Sequence, residues 1–125
     1  MQMQTVAIAG LGRVGSVFLE KLLAQSAKGI SIVAVAEKGE TAGVALAKAN
    51  GINNVSLDQL IEMGGNIDIL FDLTGIPAVR QELRDKLLAA GNRHTVIATE
   101  SIAMFIWVLI SEGDGLPNVH LKTGY

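Results

Sequence analysis

The stretch TVAIAGLGRVGS, residues 5–16, joins a strand-like run to a helix-like run through three glycines. Residues 5–9 form a continuous run of β-branched and small residues, which is typical of a buried parallel strand. From Arg13 onwards apolar residues recur at helical spacing, so the chain must turn sharply at Gly10 to place a helix against the strand. A buried strand followed at once by a helix needs a crossover to a second parallel strand, and this predicts an α/β fold.

Strand-like and helix-like segments alternate along the rest of the chain. The predicted strands cover residues 5–9, 31–36, a very short segment around Val55, 67–73 and 94–98. The first predicted helix runs from Arg13 to near Gly29, and the others cover 41–50, 57–63, 78–90 and 101–111. This alternation, with right-handed crossovers, predicts one doubly wound parallel sheet with the strand order 3-2-1-4-5.

The chain is expected to form a single domain over residues 1–125, with its core at about residues 4–111. Residues 112–125 hold three glycines and a proline, so a loop-rich tail is predicted there, with residues 119–121 as a candidate final strand. No internal repeat or interdomain linker is apparent in the sequence.

Composition excludes several classes of function. The formal net charge is -2, so the chain lacks the basic surface that binds nucleic acid. Cysteine is absent, which excludes disulfides, thiolate catalysis and cysteine-ligated metal. No signal peptide is apparent, and the longest apolar run, residues 102–110, is about half the roughly 20 residues that a membrane span requires. A cytoplasmic protein without a membrane span is therefore expected.

The three glycines of the opening stretch have G-x-G-x-x-G spacing. Such a motif is weak by itself in a chain with 14 glycines. Here a strand precedes it and a helix follows, and Gly10, Gly12 and Gly15 would serve the tight turn, the approach of a pyrophosphate and helix packing. A dinucleotide site is predicted, and a glycine turn without a ligand is the alternative. The cofactor-binding residues predicted in this turn are Gly10, Leu11, Gly12, Arg13, Val14 and Gly15.

Two residues after the second predicted strand bear on the choice of dinucleotide. Glu37 lies 22 positions beyond Gly15, where a carboxylate can accept hydrogen bonds from an adenosine ribose. A carboxylate repels the 2′-phosphate of NADP, so Glu37 favours NAD. Lys38 could hold that phosphate instead, or could be an ordinary solvated lysine. NAD is therefore the predicted cofactor, with NADP as the alternative.

The segment DLTGIP, residues 72–77, lies at the carboxyl end of the predicted strand 67–73. Ligands of open parallel sheets lie beyond the carboxyl ends of the strands, which predicts Thr74 and Gly75 beside the dinucleotide. The alternative is a plain strand-to-helix turn with Pro77 at the first helical position. Asp72 is expected to belong to the buried strand or the turn rather than to catalysis.

With these motifs in place, the chain resembles the NAD(P)-binding domain of the homoserine and aspartate dehydrogenase group. The resemblance rests on IAGLGRVGS, VAVAEKG and DLTGIP, and covers about residues 4–98. It implies a Rossmann-like fold and a dinucleotide at the predicted turn, Glu37 and Thr74–Gly75. The GLGRVG turn also looks like nucleotide-sensing domains of potassium-channel regulators and like 2-hydroxy-acid dehydrogenases. Where those amino-acid dehydrogenases have an Asn-Lys pair near the substrate, this chain reads VIATESIA.

The resemblance covers a cofactor-binding half without the catalytic domain. The leading hypothesis is therefore a nucleotide- or redox-sensing regulatory module, with no catalytic residue assigned. The alternative is an oxidoreductase whose substrate site, lined by Glu100, His94 and the tail, is completed by a dimer mate or another subunit. A ligand-free interaction domain is a third, weaker reading. His94 and His120 do not have metal-ligand spacing, so no metal site is predicted.

The last predicted helix, residues 101–111, is apolar nearly all round. Met104, Phe105, Trp107 and Val108 cannot all face one sheet, so one face of the helix should need a further partner. Homodimerisation through this helix is predicted, because two-fold pairs are the commonest closed assembly. The alternatives are that the glycine-rich tail folds back over the helix, or that the domain belongs to or docks on a larger protein.

Overall fold

The computed structural model describes residues 3–110, which form a parallel sheet covered by helices on both faces. The four strands are β1 (Gln4–Ala9), β2 (Ile30–Ala36), β3 (Ile69–Asp72) and β4 (Val96–Ala98), in the spatial order β2-β1-β3-β4. The α-helices are α1 (Arg13–Ala24), α2 (Ala42–Ala49), α3 (Leu57–Met63), α4 (Pro77–Ala89) and α5 (Glu100–Ile110). The predicted α/β class with a doubly wound parallel sheet is confirmed.

The short strand predicted around Val55 is reduced to a single β-bridge, which joins Asn54 to Val35 on the outer side of β2. The N–H of Val55 donates to the carbonyl of Val35 at 2.7 Å. Ser56 then starts α3 at once, because its hydroxyl accepts from the N–H of Gln59 and the Gln59 side chain accepts from the N–H of Ser56. With this bridge counted as the third strand, the predicted order 3-2-1-4-5 describes the sheet.

Two predicted strands begin later than expected. The strand predicted from residue 94 begins at Val96, because the Asn92 side chain accepts from the backbone N–H groups of His94 and Thr95 and holds them in a turn. The strand predicted from residue 67 begins at Ile69. The predicted helix positions are confirmed to within one or two residues, except that α1 ends at Ala24 and a short 3₁₀ turn follows before Gly29.

The core has two layers, one on each face of the sheet. On the α1 face, the rings of Phe18 and Phe71 meet edge to face with centroids 4.9 Å apart. On the other face, Leu60 of α3 and Leu83 of α4 pack against Leu70 of β3. Apart from the aromatic rings on the α1 face, both layers consist of aliphatic side chains. Their close packing makes the sheet a rigid base for the loops at its edges.

Helix α5 divides its apolar residues between the core and the surface. Ala103 and Trp107 are buried, and Lys21 of α1 places its ammonium 5.4 Å from the centre of the Trp107 ring. The exposed apolar residues of α5 are Ile102, Phe105, Val108 and Leu109. The prediction that one sheet cannot bury all of this helix is thus confirmed, with Trp107 on the core side.

Some predictions fall outside the described residues. The tail at 112–125, its candidate strand at 119–121, His120 and the end of the last helix at residue 111 all lie there. Within residues 3–110, no helix has the length and apolar character needed to cross a membrane.

Candidate functional site

The carboxyl ends of the parallel strands meet at one edge of the sheet, called here the C-terminal edge. Gly10 follows β1, Glu37 follows β2, Leu73 and Thr74 follow β3, and Glu100 lies two residues beyond β4. The sheet therefore brings the predicted turn, the predicted acidic residue and the Thr74–Gly75 loop to one side of the molecule. This is the side at which open α/β sheets bind ligands.

Two glycines of the turn allow close approach of backbone segments. Gly10 has a φ of 94°, and a Cβ there would lie 2.7 Å from the backbone nitrogen of Thr74. At Gly15, a Cβ would lie 2.0 Å from the carbonyl oxygen of Gly10. Gly10 thus joins the turn to the loop after β3, and Gly15 lets α1 pack directly against the turn.

Gly12 has a different environment, because a Cβ at this position would meet no atom within 4 Å. Gly12 is exposed and is the N-cap residue of α1, without a side-chain cap. The first N–H groups of a helix have no partners within the helix and attract anions. The open space at Gly12, next to the start of α1, therefore fits a pyrophosphate group, and a side chain there would fill it.

Glu37 is held against this turn by hydrogen bonds. Its Oε1 accepts from the N–H of Leu11 at 2.8 Å, and its Oε2 accepts from the N–H of Gly39 at 2.9 Å. Its backbone exchanges two hydrogen bonds, both of 2.9 Å, with the side chain of Asn54. Each carboxylate oxygen retains a second lone pair that can accept from a ribose hydroxyl. Lys38, by contrast, is exposed.

Thr74 uses its hydroxyl group to build the loop after β3. The hydroxyl donates to Oδ1 of Asp72 at 2.7 Å and accepts from the N–H of Ile76 at 3.2 Å. Asp72 is fully buried, and its Oδ2 accepts from Nε of Arg80 at 3.2 Å. The hydroxyl proton of Thr74, which was expected to bind a phosphate or a ribose, is thus donated to Asp72. The loop exposes Gly75, which has a φ of 70°, to solvent.

Two contacts that the sequence analysis does not predict also shape the edge. Ser16 donates its hydroxyl proton to the carbonyl of Leu11 and accepts from the N–H of Gly43, both at 2.9 Å. A Cβ on Gly43 would lie 2.5 Å from the Ser16 hydroxyl. The signal was a lone glycine in an alanine-rich helix. The Asp72–Arg80 pair was the other omission, and its signal was an acidic residue at the end of an apolar strand.

Glu100 and His94 lie at opposite edges of the sheet. Oε2 of Glu100 is 4.0 Å from the position that a Cβ on Gly75 would occupy, at the C-terminal edge. His94 precedes β4 and contacts Asp68, which precedes β3, so both lie at the opposite edge. The idea that His94 lines a site with the cofactor is therefore wrong, because residues before a parallel strand lie away from its carboxyl end.

The contacts of Asp68 explain its electrostatics. The backbone N–H of Thr5 and the His94 side chain both donate to the carboxylate and hold the pKa of Asp68 below its usual value. This pairing stabilises the edge remote from the glycine turn. Over residues 3–110, no three His, Cys, Asp or Glu side chains come together as a metal-binding group.

A comparison with known protein families identifies the family of this chain, and solved structures share its fold. A family model described as the NAD-binding domain of homoserine dehydrogenase matches residues 10–102. A crystal structure of S. aureus homoserine dehydrogenase at pH 6.5 matches with a TM-score of 0.60 and 14% identity, over 85% of this chain and 29% of that one. The homoserine dehydrogenase of Thiobacillus denitrificans matches with a TM-score of 0.55 and 24% identity, over 88% and 27%.

A curated relative is the (R,R)-butanediol dehydrogenase of Bacillus subtilis (strain 168). It is 28% identical over 106 residues, which are 81% of this chain and 28% of that protein. This chain therefore spans less than a third of the length of each of these three relatives.

Proposed function

Because this chain belongs to the family of the homoserine dehydrogenase NAD-binding domain, we propose that it binds NAD at the C-terminal edge as a nucleotide- or redox-sensing regulatory module. The observation that carries the proposal is the pairing of the open space at Gly12 with the fixed carboxylate of Glu37. The resemblance found in the sequence, including its Rossmann-like fold and its NAD cofactor, is confirmed by the family match.

The proposed arrangement assigns each part of the dinucleotide to a part of the edge. Glu37 accepts from the adenosine ribose, and the start of α1 at Gly12, Arg13 and Val14 holds the pyrophosphate. Gly10, Leu11 and Gly15 shape this turn, Lys38 flanks Glu37, and Thr74–Gly75 support the second nucleoside. When bound, NAD supplies a nicotinamide ring that accepts or releases a hydride.

A regulatory role is supported by the position of the histidine, the most common general acid or base. The histidine within residues 3–110 is at the edge opposite the glycine turn, so it cannot serve a substrate at the nicotinamide.

The lack of cysteine supports a location in the reducing cytoplasm, which we also propose.

The second candidate function is an oxidoreductase whose substrate site is completed by a second chain or subunit. The position of Glu100 next to Gly75 favours it, because a carboxylate at this edge could act as an acid or base. Incubating the protein with NAD and candidate amino acids or alcohols, while following NADH formation by absorbance, separates the two functions. Formation of NADH would contradict a purely regulatory role.

Calorimetric titration with NAD, NADP and AMP tests the proposal directly. We expect NAD to bind with a dissociation constant in the micromolar range, with AMP binding more weakly through the adenosine half alone. No binding of NAD at millimolar concentration would contradict both candidate functions. It would support the third reading of a ligand-free interaction domain.

Glu37→Gln is expected to reduce the preference for NAD over NADP about tenfold. The wild-type carboxylate repels the 2′-phosphate, and glutamine removes this charge while its carbonyl oxygen can still accept from Leu11. The measurement is the ratio of the two dissociation constants. Glu40→Gln, at an exposed position three residues on, is the matched control and should leave the ratio unchanged. An equal effect of both variants would contradict the role of Glu37.

We propose that the exposed face of α5 is the interface between two copies of this chain. Ile102, Phe105, Val108 and Leu109 are 47–72% exposed there, and a two-fold pair would bury each face against its own copy. Phe105→Glu is expected to convert a dimer to a monomer in analytical ultracentrifugation. Leu88→Glu, on the equally exposed surface of α4, should leave the dimer intact. A monomeric wild type, or a dimer that survives Phe105→Glu, would contradict this interface.

A further inference from the structure

Asp72 is a charged residue at the end of an apolar strand. It is the last residue of β3, and of the charged residues between positions 3 and 110 it alone is buried. Moving a carboxylate out of water costs free energy unless hydrogen bonds and a counter-charge replace the water. An apolar side chain could be buried there without this cost. The reason for a carboxylate must therefore lie in the groups that it binds.

The Asp72 carboxylate accepts three hydrogen bonds from the segment that follows β3. Its Oδ1 accepts from the backbone N–H of Thr74 at 3.1 Å and from the Thr74 hydroxyl at 2.7 Å. Its Oδ2 accepts from Nε of Arg80, whose positive charge compensates that of the carboxylate. Because Arg80 belongs to α4, Asp72 joins the loop to the helix that comes after it.

Thr74 extends these hydrogen bonds to the exposed part of the loop. Its hydroxyl also accepts from the N–H of Ile76 at 3.2 Å. Gly75 is exposed with a φ of 70°, and Ile76 is 51% exposed. Neither residue belongs to the two layers of the core. The hydrogen bonds that start at Asp72 therefore order residues that add little to the packing of the fold.

The ordered loop lies against the glycine turn. A Cβ on Gly10 would lie 2.7 Å from the backbone nitrogen of Thr74 and 2.8 Å from the carbonyl carbon of Leu73. The N–H of Leu73 donates to the carbonyl of Ala9, just before the turn, at 2.8 Å. The turn and the loop are thus neighbouring walls of the C-terminal edge, and a shift of the loop would change the shape of the site between them.

Building on the proposed binding of NAD, we propose that Asp72 is a positioning residue for the cofactor, which fixes through Thr74 the loop that meets the second nucleoside. A loop that is ordered before binding loses little conformational entropy when the ligand arrives. Asp72 itself touches no ligand in this arrangement, because its side chain is fully buried. Its effect is on ligands that reach the loop, and not on a ligand that occupies the adenosine half alone.

Thr74→Val tests the proposal, because valine keeps the shape of threonine and removes the hydroxyl group. The side chain can then neither donate to Asp72 nor accept from Ile76. In calorimetric titrations we expect the dissociation constant of NAD to rise about tenfold, and that of AMP, which lacks the second nucleoside, to stay unchanged. Thr74→Ser retains a hydroxyl group and should keep the wild-type affinities. A serine variant as weak as the valine variant would contradict the role of the hydroxyl.

Asp72→Asn examines the carboxylate itself. Asparagine retains an oxygen that can accept from Thr74 and removes the charge that pairs with Arg80. NAD should again bind more weakly while AMP binds as before. Where this variant does not fold, hydrogen exchange in the ligand-free Thr74→Val variant gives a second measurement. The N–H of Ile76 should exchange faster than in the wild type, and an unchanged rate would overturn the ordering of the loop.

Thr95→Val is the matched control at the opposite edge of the sheet. Thr95 is partly buried like Thr74, and its hydroxyl also bridges two groups. It donates to the carbonyl of Ile67 at 2.6 Å and accepts from the side-chain amide of Asn92 at 2.8 Å. Because Thr95 precedes β4, it lies away from the glycine turn. Its replacement should lower the stability and leave the ratio of the NAD and AMP dissociation constants unchanged.

The outcomes are distinguishable from those of the proposed function. Failure of the wild type to bind either NAD or AMP would overturn the NAD site itself, and the role of Asp72 with it. Binding by the wild type with a ratio that Thr74→Val leaves unchanged would overturn the positioning role and leave the NAD site standing. An equal change of the ratio in Thr95→Val would assign the effect to a general loss of stability, which also overturns the positioning role.

Discussion

Gly15→Ala is expected to lower the free energy of unfolding by about 3 kcal/mol or more. The added Cβ would lie 2.0 Å from the carbonyl oxygen of Gly10, which is backbone and cannot rotate away. Either α1 or the turn must move, and both are fixed by their packing on β1. The measurement is urea unfolding followed by circular dichroism. Because domains of this size have a stability of about 5–15 kcal/mol, the variant should unfold at a much lower urea concentration.

Gly65→Ala is the matched control for this experiment. Gly65 has no atom within 4 Å of a Cβ and does not have a positive φ. Its replacement should change the free energy of unfolding by no more than about 1 kcal/mol, and can stabilise the chain by restricting the unfolded state. Equal stabilities for the two variants would contradict the close contact between Gly15 and Gly10.

Gly12→Val is expected to have the opposite profile, with a large loss of NAD affinity and little loss of stability. The valine side chain would fill the open space at the start of α1 and keep a pyrophosphate away from the helix N–H groups. Loss of one or two hydrogen bonds to a charged group, each about 1.5–3 kcal/mol, should raise the dissociation constant by about 100-fold or more. Since a Cβ at Gly12 meets no atom within 4 Å, the stability should change by no more than about 1 kcal/mol.

The same substitution at Gly65 controls for a general effect of valine on the fold. Gly65→Val should leave NAD binding unchanged, because Gly65 lies in the short turn after α3, outside the proposed site. Calorimetry gives the affinity and urea unfolding gives the stability of the same samples. Unchanged NAD binding in Gly12→Val would remove the pyrophosphate from the position proposed for it.

The fold could be predicted from the sequence because its signals are local and repeated. Each strand is a short apolar run, and helix ends are marked in the sequence by capping or helix-breaking residues, such as Ser56 before α3 and Pro77 at the start of α4. The short strand predicted around Val55 is the exception. It carries only a bridge, because α3 begins immediately after it and leaves no length for a strand.

The site could be predicted only in part, because its remaining features depend on contacts between distant segments. The turn and Glu37 follow from spacing along the chain. The hydrogen bond from the N–H of Gly43 to the Ser16 hydroxyl joins residues 27 positions apart. The hydrogen bond from the Thr74 hydroxyl to Asp72 depends on the burial of that carboxylate. The spacing of residues along the chain does not reveal such burial. His94 opens a predicted strand, where a solvated or locally bonded histidine is the leading interpretation, and its contact with Asp68 agrees with this; the start of a parallel strand lies away from the edge at which ligands bind.

The hydrogen bonds around Leu11 have a consequence for the entropy of ligand binding. Its N–H donates to the Glu37 carboxylate, and its carbonyl accepts from the Ser16 hydroxyl. The same hydroxyl accepts from the N–H of Gly43. The end of β2 and the starts of α1 and α2 therefore converge on one residue. The backbone of the turn loses its conformational freedom when the chain folds, before any ligand arrives. Binding then requires little further ordering of the protein, so even a small set of contacts can give useful affinity.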